Sequence, residues 1–212
     1  MRIFFAFGIS LLLTLSSCLT IVQPLVTLEN ILQDSRMEGS WTDNNSRNIA
    51  VQKFMNSEYK NIFKEVKEGD YTKADSLLWI KMYVLSYKEN EISYEWLAKL
   101  TKIGEQHYLE LAPERCLDNK GAELNTPGMS TASIAKLEWK NNNSIELKFL
   151  NGDRIKEIIL DGKARVKYDY DPLFETFVIT ASSTELQKFL EKYGNYERIF
   201  SGGEVITLTR KN

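Results

Sequence analysis

The sequence predicts a mainly β protein: an antiparallel barrel or strongly curved sheet, with a C-terminal helix before the last strand and one short inserted helix. Three observations predict it. Apolar and polar residues alternate with a period of two through several segments, turn-forming residues separate those segments at short spacing, and no β-α-β alternation demands a parallel sheet. Many short antiparallel strands hide their edges most completely by closing on themselves.

The chain opens with Arg2 and an apolar run from Ile3 to Leu15. That run suits the core of a secretory signal peptide and falls short of the ~20 residues that span a bilayer. It ends in Leu15-Ser16-Ser17-Cys18, which resembles the lipobox of bacterial lipoproteins: branched aliphatic, small, small, cysteine. The resemblance implies cleavage between Ser17 and Cys18, a diacylglycerol thioether on the Cys18 sulfur, and acylation of the new amine by a chain such as palmitate. An ordinary cleaved signal with a chance cysteine is the alternative. Leu19, Thr20 and Ile21 follow where an inner-membrane retention signal would place Asp. The resemblance therefore implies a lipid anchor in the outer membrane, facing the periplasm.

The expected organisation is a signal peptide at 1–17, a lipidated tether at 18–34 interrupted by Pro24, and a single β-rich domain at 35–212. If Cys18 is acylated, Cys116 is the one remaining cysteine and no internal disulfide is expected. Residues 1–17 hold one of the 27 basic residues and none of the 29 acidic ones, so the mature chain carries a net charge of −3. It has no basic stripe to neutralise phosphates, and nucleic acid is not an expected partner.

The domain opens with "EGSW", which holds Gly39, Ser40 and Trp41. Tyr59, Ile62, Phe63 and Val66 fall at i, i+3, i+4 and i+7, which predicts the inserted helix near 57–66. "IKMYVLSY" and "EISYEWLAKL" read as a hairpin across Lys88, Glu89 and Asn90, the second strand lining up Ile92, Tyr94, Trp96, Ala98 and Leu100. "QHYLEL" follows across Gly104, and a long loop is expected from Pro113 to Ser130. Ala135, Leu137 and Trp139, then Ile145, Leu147 and Phe149, mark two strands joined by a turn at Asn141–Asn143. Asn151-Gly152 and Asp161-Gly162 signal turns. "RVKYDY" and "FETFVIT" form a hairpin across Pro172. The helix over 183–193 places Leu186, Phe189, Leu190 and Tyr193 on one face, with Ser182 and Glu185 as a capping box and Gly194 as a left-handed stop. "EVITLTR" is the last strand.

The two ends of this domain resemble the calycin superfamily, lipocalins especially. Those barrels open on Gly-x-Trp, here Gly39 and Trp41, and carry a helix before the last strand. A basic side chain on that strand covers the tryptophan, and Arg210 is the matching residue. Parity agrees: Arg210 shares a strand face with Ile206 and Leu208, so its guanidinium aims at the apolar side, where stacking on Trp41 would contribute about 0.5–2 kcal/mol. The order of elements is also similar to that of uncharacterised lipoproteins of Bacteroidetes type.

Chemistry is harder to find. The single histidine, His107, shares a face with Leu109 and Leu111 and reads as a packed side chain. Metal sites needing two imidazoles are excluded; no nucleophile elbow, phosphate loop or dinucleotide fingerprint occurs; and no cofactor is expected. The inner-face aromatics Tyr94, Trp96, Trp139 and Tyr168 either fill a solid core or line a pocket for an apolar ligand. Three readings follow: a non-enzymatic lipoprotein binding a small apolar ligand or envelope protein, an accessory lipoprotein with a filled core, and a carboxylate-based hydrolase.

Overall fold

The computed structural model describes residues 20–61, 72–123 and 132–211. The lipobox residues Ser17 and Cys18, and the signal segment before them, lie outside the described residues. In chain order the elements begin with β1 (Thr20–Ile21), β2 (Ile31–Leu32), a 3-10 turn (Ser35–Met37), β3 (Gly39–Thr42) and β4 (Asn48–Lys53). Two 3-10 turns (Phe54–Asn56 and Glu58–Asn61) lead towards α1 (Lys73–Lys81). Next come β5 (Tyr83–Glu89), β6 (Ile92–Ile103), β7 (Gln106–Leu117), β8 (Ser133–Asn141), β9 (Ser144–Phe149) and α2 (Gly152–Leu160). β10 (Tyr168–Asp171), β11 (Thr176–Ile179), α3 (Ser183–Tyr193) and β12 (Val205–Arg210) complete the chain.

Eight of these strands close into an antiparallel barrel. Each strand from β3 to β9 pairs with its successor, and β12 inserts between β9 and β3, with Arg210 opposite Trp41 and Leu208 opposite Ile145. The fold class expected from the sequence is the one observed, including the helix before the last strand. The interior takes one side chain in two from every strand: Trp41, Val51, Tyr83, Leu85, Ala98, Leu100, Leu109, Leu137, Ile145 and Leu208 among them.

A second core covers part of the barrel's outside. Val84, Tyr108 and Ile134 point outward and pack beneath Ile155 and Ile158 of α2, Leu186 and Phe189 of α3, and Leu25 and Val26 of the N-terminal segment. This corrects the expected tether at 18–34, because residues 20–34 are built into the fold. β1 joins the three-stranded sheet β1-β11-β10, β2 pairs with β6, and the Val26 amide donates to Glu110 Oε2 at 2.9 Å. Leu25 and Val26 are 1% exposed, and leaving two such side chains in water would forfeit several kcal/mol.

Other differences have local causes. The expected helix near 57–66 begins as 3-10 turns, held by the Ser57 hydroxyl donating to Phe54 O at 2.6 Å and by Tyr59 stacking on Phe54 at 5.5 Å; residues 62–66 lie outside the described residues. Asn151-Gly152 opens α2, because the Asn151 side chain accepts from Arg154 N and caps the helix. Pro113 belongs to β7, opposite Trp96 where the β6–β7 register shifts, an irregularity that suits a residue lacking an N–H. α3 has the expected capping box, but Gly194 is right-handed (φ −64°). Glycine stands there because a Cβ would collide with the Tyr108 hydroxyl and the Leu190 carbonyl.

A candidate ligand cavity in a barrel closed at one end

The 3-10 turn Ser35–Met37 lies across one end of the barrel and plugs it. Met37 is 1% exposed, and Trp41 and Tyr83 are fully buried beside it. The Trp41 indole donates to Met37 O at 2.9 Å. The Tyr83 hydroxyl accepts from Asp34 N at 2.7 Å and donates to Asp34 O at 3.0 Å. Arg210 then fastens plug to barrel: its Cζ lies 4.3 Å from the Trp41 ring centroid while its nitrogens donate to Glu38 O at 2.7 Å and Arg36 O at 2.5 Å. The glycine of Gly-x-Trp has two reasons to be one. Gly39 sits at φ +129°, and a Cβ would overlap the Arg210 guanidinium.

Trp139 belongs to this closed end. Arg36 covers its ring at 4.2 Å and is itself gripped by the Asp34 carboxylate. That carboxyl is held below the usual range, chiefly by the Arg36 hydrogen bond, against a smaller opposing effect of burial. His107 is half-buried here too. Burial, then Lys102 and Arg36, lower its pKa, so the imidazole is neutral at pH 7.

The opposite end is open. It holds an apolar cavity of about 420 Å³, within the range of small-molecule sites. Leu85, Leu147 and Leu208 form its depth; Ile49, Trp96, Leu111, Phe149 and Ile206 form its walls. Tyr87, Arg47, Asn151 and Gly202 stand at the rim, where Ile21 of β1 also reaches it. Arg47 is positioned by the β3–β4 turn: its Nε donates to Asp43 Oδ2 at 2.6 Å, and its guanidinium lies 5.2 Å from the Tyr87 ring centroid. Burial raises the Asp43 carboxyl, but Arg47 and the backbone amides of Arg47 and Asn45 outweigh it, so the pKa falls. The rim thus carries a fixed, charge-compensated pair above an apolar well.

The expected site residues separate on this frame. Gly39, Trp41 and Arg210 meet at the closed end. Of the expected ligand-lining aromatics, Trp96 lines the cavity. Tyr94 stands behind it, stacked on Tyr87 with centroids 4.9 Å apart. Trp139 packs at the plug. Tyr168 is a correction: it lies on β10, in the smaller sheet outside the barrel, 37% exposed. Alternation gave it a face but could not say which sheet owned that face. Tyr87, Leu85 and Arg47 were missed, although parity from Tyr83 through Leu85 to Tyr87 was available in "YVLSY". Among the described residues no group of three or more His, Cys, Asp or Glu side chains could hold a metal ion, and no helix is long and apolar enough to cross a membrane. No protein-family model, curated protein or solved structure matches this chain.

Proposed function

We propose that this chain is a lipoprotein, acylated at Cys18 and anchored at the periplasmic face of an outer membrane, whose barrel binds a small apolar molecule without transforming it. The observation that carries the reading is the one-ended cavity: a solid plug below, an apolar well above, and a polar rim that orients whatever enters. A ligand with an apolar body and one polar end fits that polarity, its body against Trp96 and Phe149 and its polar end near Arg47.

The competing reading, an accessory lipoprotein with a filled core, draws support from the dense packing of the lower half around Trp41 and Tyr83. Native mass spectrometry of the protein purified from its envelope separates the two. The binding reading expects a reproducible extra mass that organic solvent releases, and uptake of a fatty-acid probe by the emptied chain. A bare chain that takes up no probe would leave the accessory reading. Anchoring is tested separately with labelled palmitate, which should tag the wild type and not Cys18→Ser; equal labelling of both would remove it.

A further inference from the structure

We propose that the tip of the β10–β11 hairpin, Leu173 and Phe174, inserts into the lipid surface that holds the chain's own N-terminal anchor, and so presents the cavity mouth to the bilayer. The anchor is the lipoprotein reading above, on which the orientation rests; the insertion stands on the hairpin itself.

Leu173 and Phe174 are 81% and 75% exposed, the two most exposed large apolar side chains among the described residues. They sit on a built turn rather than a loose loop. Asp171 Oδ1 accepts from both of their amides, at 2.8 and 3.3 Å, and Pro172 fixes its own φ. Two adjacent apolar side chains held in water are a standing cost that only a covering surface relieves.

Behind the tip lies an aromatic band. Tyr168 and Tyr170 flank Phe177 at 5.3 and 6.4 Å, and Lys156 Nζ lies 4.5 Å from the Tyr170 ring centroid. Half-exposed tyrosines behind an apolar tip, with a lysine beside them, reproduce the layering of a membrane interface: hydrocarbon, aromatic belt, charge. The hairpin carries Asp169, Asp171 and Glu175 and no basic cluster, so the attraction is apolar and suits net-neutral lipid.

Topology supplies the occupant. β1 runs parallel to β11, with Thr20 opposite Val178 and Ile21 opposite Ile179. Going back along β1 from Ile21 to Thr20 therefore leads the same way as following β11 back to Phe174, four residues or about 13 Å from Val178. Cys18 is two residues before Thr20. Ile21, the next residue in, lines the cavity rim, whereas the plug is at the barrel's other end. The start of β1, the apolar tip and the mouth thus share one side, and a tip inserted beside a stable lipid anchor is the second contact that fixes the orientation of the barrel.

The test uses the full chain, purified and reconstituted into phosphatidylethanolamine–phosphatidylcholine vesicles, with intact mass reporting acylation independently. In a Cys116→Ala background, a nitroxide on Leu173→Cys should be relaxed more by oxygen than by a nickel chelate, and one on Asn142→Cys, at the closed-end turn, the reverse. In the Cys18→Ser chain, which lacks the acyl anchor, Leu173→Asp/Phe174→Asp, folded by near-ultraviolet circular dichroism, should lower vesicle binding at least about tenfold, with little change in salt. Equal nickel access at 173 and 142 would overturn the proposal. So would protection of 173 before vesicles are added, accompanied by dimer mass in sedimentation, which would make the tip a contact between copies. Should the mass show Cys18 unmodified, the lipoprotein reading fails by itself. Flotation of that unacylated chain then decides: loss of flotation in the double variant sustains insertion, and no flotation of wild type refutes it.

Discussion

Arg210 is the residue whose loss most directly tests how the barrel is closed. Arg210→Ala deletes two hydrogen bonds from a charged donor, to Glu38 O and Arg36 O, and the stack on Trp41. A buried bond of that kind contributes about 1.5–3 kcal/mol, and the Arg36 one, being exposed, contributes less; the stack adds about 0.5–2 kcal/mol. The expected loss is about 3 kcal/mol. Trp41→Ala should cost about 3–5 kcal/mol, from a fully buried indole and the cavity it leaves. Because the two share the stack, the double variant should fall short of the sum by about 1 kcal/mol. Arg210→Lys keeps the charge but not the planar fork that reaches two carbonyls and a ring together, so it should recover less than half of the loss. Urea unfolding followed by fluorescence and circular dichroism gives each value as a midpoint shift at constant m, about 1–2 M for a 3 kcal/mol change. An Arg210→Ala midpoint within error of wild type, or strict additivity with Trp41→Ala, would refute the account of Arg210 as the fastening between plug and barrel.

Three further outcomes are expected. Glu138, on the outer barrel face, is held down to about 2, first by the hydrogen bond from Lys140 and then by Lys136 and Lys148. Its contribution, about 1 kcal/mol after screening, is complete above the ordinary glutamate pKa of about 4.3 and is lost as pH falls towards 2. Glu138→Gln should flatten that part of the urea-midpoint profile. Tyr108 is fully buried, its hydroxyl has no hydrogen-bond partner among the described residues, and burial pushes its pKa up to about 12. Tyr108→Phe should be neutral or stabilising by about 1 kcal/mol, and should relieve part of the roughly 1–3 kcal/mol that Gly194→Ala costs by overpacking, both read by thermal melts. Ile206→Trp, filling the cavity from its wall, should weaken fatty-acid probe binding at least about tenfold while leaving the urea midpoint near wild type.

What was legible follows the reach of each signal. Period-two alternation located β6, β8, β9 and β12, because each presents one face to a packed interior. The Ser182–Glu185 box located α3. α1 was hidden because Leu77-Leu78-Trp79-Ile80 is a continuous apolar run with no helical period, even though its Thr72–Asp75 capping box was in the sequence. α2 had the signal, Ile155, Ile158 and Ile159 at i, i+3 and i+4, but Asn151-Gly152 reads equally as a turn and as a helix cap. Parity placed Arg210 on the inner face because it is a property of one strand. The cavity was out of reach, since whether a barrel is hollow depends on how side-chain volumes from eight strands add up at each level. Trp41, Tyr83 and Met37 fill the lower level, while Ile49, Leu111 and Ile206 leave space in the upper one.

The N-terminal segment joins these levels mechanically. From Ile21 at the rim it runs down the outer wall, where Gln187 Nε2 donates to Leu25 O at 3.0 Å and Glu110 accepts from Val26 N and, at 2.7 Å, from Lys99 Nζ. It pairs through Ile31 and Leu32 with β6, then turns under the barrel as the plug that Arg210 holds. Rim, wall and plug are therefore one stretch of 18 residues, 21–38, with buried contacts along its length. An attachment at Cys18 would act on this strap with only Leu19 and Thr20 between, too few residues for a flexible linker. The orientation of the barrel would then follow that of β1, which is held by its pairing with β11. Lengthening the segment before Thr20 with glycine and serine would free the barrel to turn without touching cavity or plug, so binding in solution would persist while the orientation of the mouth to the bilayer, read from nitroxide depth at several rim positions, broadened.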